Sequence, residues 1–240
     1  MNAPVPDISI IVPAHNEEAL LGATLAALRT AGAGLGEAHE IVVVDDSSTD
    51  RTAEIAREHG ARVVGVGVHQ IAAARNAGAR AATGDLLVFV DADTIVSARV
   101  LRAAVETLRG GAVGGGTSAV FEPGAPPWAH RAIAFAAFIM RTAQWAPGCF
   151  FFARRDAFER AGGFDERYFA SEEIHLSRAM KRQGRFVVLA DTVLTSARKA
   201  EHYSMSHSLW LMMRMAWPGS LKRREGLEFW YTRHHKNDKT

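Results

Sequence analysis

The feature that most restricts how this chain can fold is a repeated spacing. Short β-prone runs at Ile8 to Val12, Ile41 to Val44, Arg62 to Val66 and Leu86 to Val90 alternate with stretches of helical periodicity. Glu17 to Arg29 places Leu20, Leu21, Thr24, Leu25 and Leu28 on one face, with Asn16 positioned to cap it. Helices are also predicted over Asp50 to His59, closed by Gly60, over Gln70 to Ala82, closed by Gly84, and over Ser97 to Arg109. Near-continuous apolar strands alternating with helices predict a doubly wound, mostly parallel sheet with helices on both faces. Ligands of such sheets sit beyond the carboxyl ends of the strands. Three of these runs end in polar residues, Pro13 to Glu17, Asp45 to Ser48 and Asp91 to Asp93, which should therefore line one crevice.

After the glycine-rich stretch Gly110 to Gly116 the alternation loosens. Trp128 to Gln144 reads as an unusually apolar helix, Cys149 to Ala153 as a strand, Glu172 to Gln183 as a helix closed by Gly184, and Phe186 to Leu189 as a strand. A length of 240 residues with 48% apolar and 22% charged residues suits one globular domain over 1–240. The single cysteine, Cys149, excludes an intrachain disulfide and a cysteine-rich zinc site and favours a reducing, cytoplasmic setting. Met1 to Asp7 has no leader pattern, and the best apolar run, Ala132 to Met140, is stopped by Arg131 and Arg141 well short of the ~20 residues a spanning helix needs. The net charge of +2 hides an asymmetry, since Arg178 to Thr240 holds 13 Lys and Arg against five Asp and Glu. Such a tail suits phosphates, an anionic membrane surface or solubility.

Asp91-Ala92-Asp93 puts two carboxylates on alternate positions, which lean the same way in extended backbone. Hard oxygen ligands of this kind suit Mg²⁺ or Mn²⁺, whose remaining positions are filled by water and diphosphate oxygens. Alone, the triplet would read as a solvated turn or a cap before Ser97; its place after the fourth strand of an α/β alternation reverses that ranking. Asp45 to Asp50 supplies caps for the next helix, but capping does not account for a second carboxylate at the same mouth. There it would accept a hydrogen bond from a uracil N3–H or a ribose hydroxyl.

Val12-Pro13-Ala14-His15-Asn16-Glu17-Glu18, Val43-Val44-Asp45-Asp46-Ser47-Ser48-Thr49-Asp50, Ala74-Arg75-Asn76-Ala77-Gly78 and Val90-Asp91-Ala92-Asp93 resemble, in order, the signatures of family 2 glycosyltransferases of the GT-A fold. The resemblance implies a Rossmann-like sheet with a smaller acceptor-side sheet region, divided into a nucleotide-binding half (1–110), an acceptor-binding half (111–200) and a basic, apolar tail (201–240). The implied nucleotide-sugar site comprises Pro13, Ala14, Asn16, Glu17, Asp46, Arg75, Asp91, Ala92 and Arg198. Within it Pro13, Ala14 and Glu17 would contact the nucleoside, Asp46 the base, and Arg75 would lie near the nucleotide; a surface arginine is the competing reading of Arg75. Asp93 would ligate the metal directly, and Asp91 would touch the ribose or metal-bound water.

The second half is also similar to that family, through Gly148-Cys149-Phe150-Phe151-Phe152-Ala153-Arg154-Arg155, Gly162-Gly163-Phe164-Asp165-Glu166 and Ser171-Glu172-Glu173-Ile174-His175-Leu176-Ser177-Arg178. Gly148, Cys149 and Phe150 are the implied acceptor-binding residues, and Glu172 and Glu173 the catalytic pair. Inverting members usually carry Glu-Asp there, with Asp as general base; Glu173 stands in its place, one methylene longer. The bland reading is that both acids favour the first turn of a helix. Arg198 and Lys199 are candidates to neutralise a diphosphate and His202 to complete the metal site, with His207 behind it.

The implied activity is transfer of a sugar, with inversion, from a nucleotide diphosphate donor (UDP-sugar before GDP-sugar) to an acceptor hydroxyl. The alternative is a nucleotide-sugar binding or regulatory module without catalysis. A sugar nucleotidyltransferase is disfavoured because the loop after the first strand is acidic and lacks glycine. A dinucleotide oxidoreductase is disfavoured because Gly110 to Gly116 follows a helix. Trp128 to Met140 and Leu209 to Trp217, the latter followed by Lys222-Arg223-Arg224, read first as core or as a homodimer interface. As interfacial helices they would instead bring the protein to the inner face of a membrane, with a lipid or lipid-linked acceptor. No nucleic-acid partner is expected.

Overall fold

Every residue from Ile8 to Ala14 is buried, as a strand covered by helices on both faces requires. In the computed structural model, which describes residues 6–121, 126–168 and 171–196, this segment is β1 (Ile8–Ala14), at the centre of the first half. There follow α1 (Leu21–Ala33), β2 (His39–Asp46), α2 (Thr52–Glu58), β3 (Arg62–Val66), α3 (Ile71–Ala81), β4 (Leu86–Val90), the two-residue β5 (Thr94–Ile95) and α4 (Ala98–Arg109). The second half contributes β6 (Gly114–Phe121), α5 (Pro127–Ala143), β7 (Phe150–Arg154), α6 (Arg155–Arg160), α7 (Glu172–Lys181) and β8 (Phe186–Thr195).

All eight strands form one sheet in the order β3-β2-β1-β4-β7-β6-β8-β5. The first four are mutually parallel, β7 runs antiparallel to both β4 and β6, β6 and β8 are parallel, and β5 is antiparallel to β8. The winding reverses between β1 and β4, so their carboxyl ends diverge into a crevice. Side chains alternate across the sheet. Ile8, Ile10 and Val12 pack with Leu21, Leu25 and Leu28 of α1 and with Leu101 and Val105 of α4. Ile11, Val44 and Phe89 face the alanines of α3 together with Phe151, Phe158 and Phe164.

Two local expectations need correction, and one strand was not expected. Asn16 does not cap α1, which begins at Leu21; Asn16 sits at φ 54° and spends its Oδ1 on Thr49 N, 2.8 Å away. Within the glycine-rich stretch, which the sequence left without an element, Gly114, Gly115 and Gly116 open β6, between Phe151 to Ala153 of β7 and Phe186 to Val188 of β8. A Cβ on Gly115 would lie 2.5 Å from the Phe152 ring and one on Gly116 2.7 Å from Phe150 O, so the Phe152 ring and the β7 backbone fit only because their neighbour strand has no side chains there. The strand expected over Phe186 to Leu189 continues to Thr195, carried by pairing of Val193 to Thr195 with β6.

At the end of the sheet opposite the crevice, Glu40 ties three strands together. It accepts from Ser9 Oγ, Arg62 Nη2, Thr83 N and Thr83 Oγ1, each at 2.7 Å. Burial raises its pKa, but the Arg62 hydrogen bond and the Thr83 and Ser9 donors outweigh that and hold it at about 2. A depressed carboxyl stabilises the fold above its unfolded pKa and loses that contribution as pH falls through the folded value. Glu40→Gln is therefore expected to cost about 2 kcal/mol at pH 7, with a smaller difference from the parent at pH 3, by urea denaturation.

Candidate active site

The floor of the crevice is laced from loops that follow β1, β2 and β3. Asn16 N donates to Ser48 Oγ (2.9 Å), Glu17 N to Thr52 Oγ1 (2.8 Å) and Glu18 N to Asp50 Oδ2 (3.2 Å). Asn16, Ser47 and His69 all adopt left-handed backbone, at φ 54°, 59° and 48°. Such non-glycine conformations cost about 1–3 kcal/mol each and concentrate where a backbone shape is functionally required. Asp46, only 6% exposed, holds the third loop: Oδ1 accepts from Val68 N (2.8 Å) and His69 N (3.0 Å), and Oδ2 from Gln70 N (3.2 Å). His15 Nδ1 lies 2.6 Å from Asp46 O; because a carbonyl only accepts, Nδ1 carries the proton.

Arg75 joins the two halves. It projects from α3 and is 2% exposed, so the surface reading does not hold. Its Nη2 donates to Asp91 Oδ1 (2.8 Å) and to Gly148 O (2.9 Å), its Nη1 donates to Glu172 Oε1 (2.6 Å), and its guanidinium lies 5.2 Å from the centre of the Phe164 ring. One cation thus holds the acidic triplet after β4, the loop before β7 and the first turn of α7. A Cβ at position 148 would come 3.0 Å from Nη2, which explains why glycine stands there.

The two acids at the start of α7 divide accordingly. Glu172, 2% exposed, is committed to Arg75. Burial raises its pKa, against the pull of Arg75. Glu173 is half-buried, and burial followed by repulsion from Glu172 pushes its carboxyl up to about 8. Glu173 therefore retains a proton well above the ordinary carboxylate range and has a basicity suited to proton abstraction near neutrality.

The mouth of the crevice carries Asp91, 29% exposed, and Asp93. Thr24 Oγ1 of α1 donates to the Ala92 carbonyl at 2.8 Å, and Asp91 N donates to Cys149 O at 3.2 Å, so the triplet is fixed from both sides. Among the described residues no group of three or more His, Cys, Asp or Glu gathers to enclose a cation. Two carboxylates completed by water and diphosphate oxygens are what Mg²⁺ or Mn²⁺ requires, and the donor set fits that arrangement. Pro13 and Ala14 lie at the buried end of β1, beside Val44 and Asp45. Cys149 is half-buried, and burial, with Asp91 and Asp93 nearby, raises its thiol pKa, making it a poor nucleophile. Phe150 is fully enclosed in the core, edge-on to Phe152, so its side chain does not reach the crevice. Arg198, Lys199, His202, His207 and the segment Leu209 to Trp217 lie outside the described residues.

Two residues went unrecognised in the sequence. Gln70 Nε2 donates to Glu166 O (2.5 Å) and Tyr168 O (3.1 Å), while Asn76 exchanges hydrogen bonds with the Phe164 backbone (2.8 and 2.9 Å). Both tie α3 to the segment after α6. Their only signal was an amide on each side of Arg75 in an alanine-rich stretch.

The model of glycosyl transferase family 2 matches residues 9–167. An undecaprenyl-phosphate 4-deoxy-4-formamido-L-arabinose transferase of Pseudomonas paraeruginosa is 41% identical over 100 residues, 38% of this chain and 29% of that protein. Validoxylamine A glucosyltransferase of Streptomyces hygroscopicus subsp. jinggangensis is 41% identical over 93 residues, 36% of this chain and 22% of the relative. The chain thus matches less than a third of the length of either. Among solved structures, the mannosyltransferase PcManGT of Pyrobaculum calidifontis, in complex with GDP-Man and Mn²⁺, superposes with a TM-score of 0.64 at 24% identity, covering 87% of this chain and 61% of that one. S. aureus TarS 1-349 in complex with UDP-GlcNAc gives 0.62 at 19% identity, covering 87% and 65%. The structural likenesses establish the mixed α/β GT-A fold, and the family model, which spans more than half of the chain, shows that this chain belongs to glycosyl transferase family 2.

Proposed function

We propose that the chain transfers a sugar from a nucleotide diphosphate sugar to an acceptor hydroxyl, with inversion at the transferred carbon and Glu173 as general base. The observation that carries this reading is the Arg75 bridge, which holds an acidic triplet suited to a donor diphosphate beside a helix start bearing a carboxyl of raised pKa. The nucleoside would lie over Pro13, Ala14, Asn16 and Glu17, with the base toward Asp46. A Mg²⁺ or Mn²⁺ ion held by Asp93, with Asp91 touching the ribose or metal-bound water, would offset the negative charge that develops on the leaving diphosphate. Glu173 takes the proton of the acceptor hydroxyl as its oxygen attacks from the face opposite the diphosphate. UDP-sugars are the favoured donors and GDP-sugars the second choice. The undecaprenyl-phosphate in one relative's name supports a lipid or lipid-linked acceptor, here one that presents a hydroxyl, and with it a position on the inner face of a membrane.

Asp93 tests the donor half of the proposal. In wild-type protein a UDP- or GDP-sugar with Mn²⁺ should raise apparent stability, by about 2.7 kcal/mol at a hundredfold excess over Kd. Asp93→Ala should abolish the Mn²⁺-dependent part of that rise in thermal-shift measurements. An unchanged Mn²⁺ response would overturn the assignment, and wild-type protein that binds donor without ever transferring or hydrolysing it would favour the binding-module alternative.

A further inference from the structure

The outward face of α5 carries an apolar stripe. Phe135 and Phe138 are 62% and 67% exposed and Ile139 42%. With Arg131, Ala134 and Thr142 they recur at spacings of three and four, forming one continuous helical face. The opposite face, with Ala129 and Ile133, packs on the core. The expectation of a core helix over Trp128 to Met140 is thus only half met. Isolated exposed apolar residues are ordinary, but two phenylalanines and an isoleucine on one stripe form a patch that calls for a partner.

The charges around the stripe select that partner. Pro127–Ala143 contains no acidic residue. Its carboxyl end is ringed by bases: Arg141 donates to Ala190 O (2.8 Å), Lys181 Nζ to Ala143 O (2.9 Å), and Arg178 lies 4.7 Å from the centre of the Trp145 ring. Lys181 and Arg141 have structural duties there, yet their positive charge remains. A second copy is a poor occupant, because antiparallel two-fold pairing about Phe135 and Phe138 would set Arg131 against Arg141 of the other copy. Among the described residues no helix is long and apolar enough to cross a membrane. A helix lying in the plane of an anionic bilayer meets both conditions, with aromatic side chains at the acyl boundary and bases among the phosphates.

We infer that the Phe135, Phe138 and Ile139 face of α5 is a contact surface for an anionic lipid bilayer. From its carboxyl end the chain runs through Gln144, Trp145, Ala146 and Pro147 into Gly148, whose carbonyl is held by Arg75, so a short connection joins α5 to the crevice. The inference goes beyond the transfer reading and does not require it.

The test is co-sedimentation of the full chain with phosphatidylcholine vesicles, with and without roughly one-third phosphatidylglycerol. Binding is expected to the anionic vesicles, to weaken with added salt, and to fall roughly tenfold or more in the double variant F135S/F138S, which changes only exposed positions and should keep its circular dichroism spectrum. Donor binding, read separately by thermal shift, should be unchanged in that variant, so failure of either idea is visible without the other. Absence of binding to anionic vesicles would overturn the inference. So would equal binding by F135S/F138S, or a dimer in sedimentation velocity that the same variant dissolves.

Discussion

Arg75→Met is expected to lower folding stability by about 3–5 kcal/mol, because it leaves the Glu172 charge buried with no cation beside it. Combining it with Glu172→Leu should recover most of that loss, since replacing both members of a buried pair with apolar residues is often neutral or favourable. Activity should not recover. The double variant lacks the Arg75 ties that set Asp91 and the Gly148 carbonyl against the start of α7, leaving the Ala146 N–Ser177 Oγ bond as a looser link, and a displacement of about 1 Å at reacting groups can cost on the order of 100-fold in rate. Urea denaturation and donor turnover on the same three proteins separate the two effects. Full activity in the stable double variant would show that the bridge serves folding alone.

Glu173→Gln is expected to lower turnover by about 10²–10⁴-fold while leaving donor affinity nearly intact, as befits removal of a general base. The same change should stabilise the protein, and the sign follows from the titration. The native carboxyl keeps its proton to about 8, against the ordinary 4.5 of the unfolded chain. Across that interval the native state binds more protons, so wild-type stability falls as pH rises. The glutamine variant is spared that fall and should become more stable than wild type by on the order of 2 kcal/mol toward pH 8, with no gain below pH 4.5. Wild-type turnover should rise with pH through the neutral range as the base loses its proton. A glutamine variant with normal turnover would place the base elsewhere.

The first half of the fold was legible in the sequence because its signals are local. Val42 to Val44 and Leu87 to Val90 are apolar on both faces, which only a doubly covered strand needs, and the polar residues that follow mark the ligand end. β6 was illegible for the opposite reason. Gly114 to Gly116 have no strand propensity of their own and are held extended by β7 and β8, whose backbones, with the Phe152 ring, take the space a side chain would need. Of the site, the acidic pairs could be read from their positions after strands. The burial of Arg75 could not, because its partners Gly148 and Glu172 lie 73 and 97 residues away, and such pairings leave no trace in local periodicity. Asn16 misled because asparagine suits both a helix cap and left-handed backbone, and the loop lacing took the second option.

The placement of β7 has a mechanical consequence. Phe150 to Arg154 pair with Val90 to Leu86 on one edge, and Phe151 to Ala153 pair with the glycines of β6 on the other, so main-chain hydrogen bonds run unbroken from the first half of the sheet to the second. Swinging one half against the other would tear that ladder, which rules out clamshell closure as the way to exclude water. Whatever gating accompanies turnover must be carried by segments at the rim, over a base plate that stays stiff.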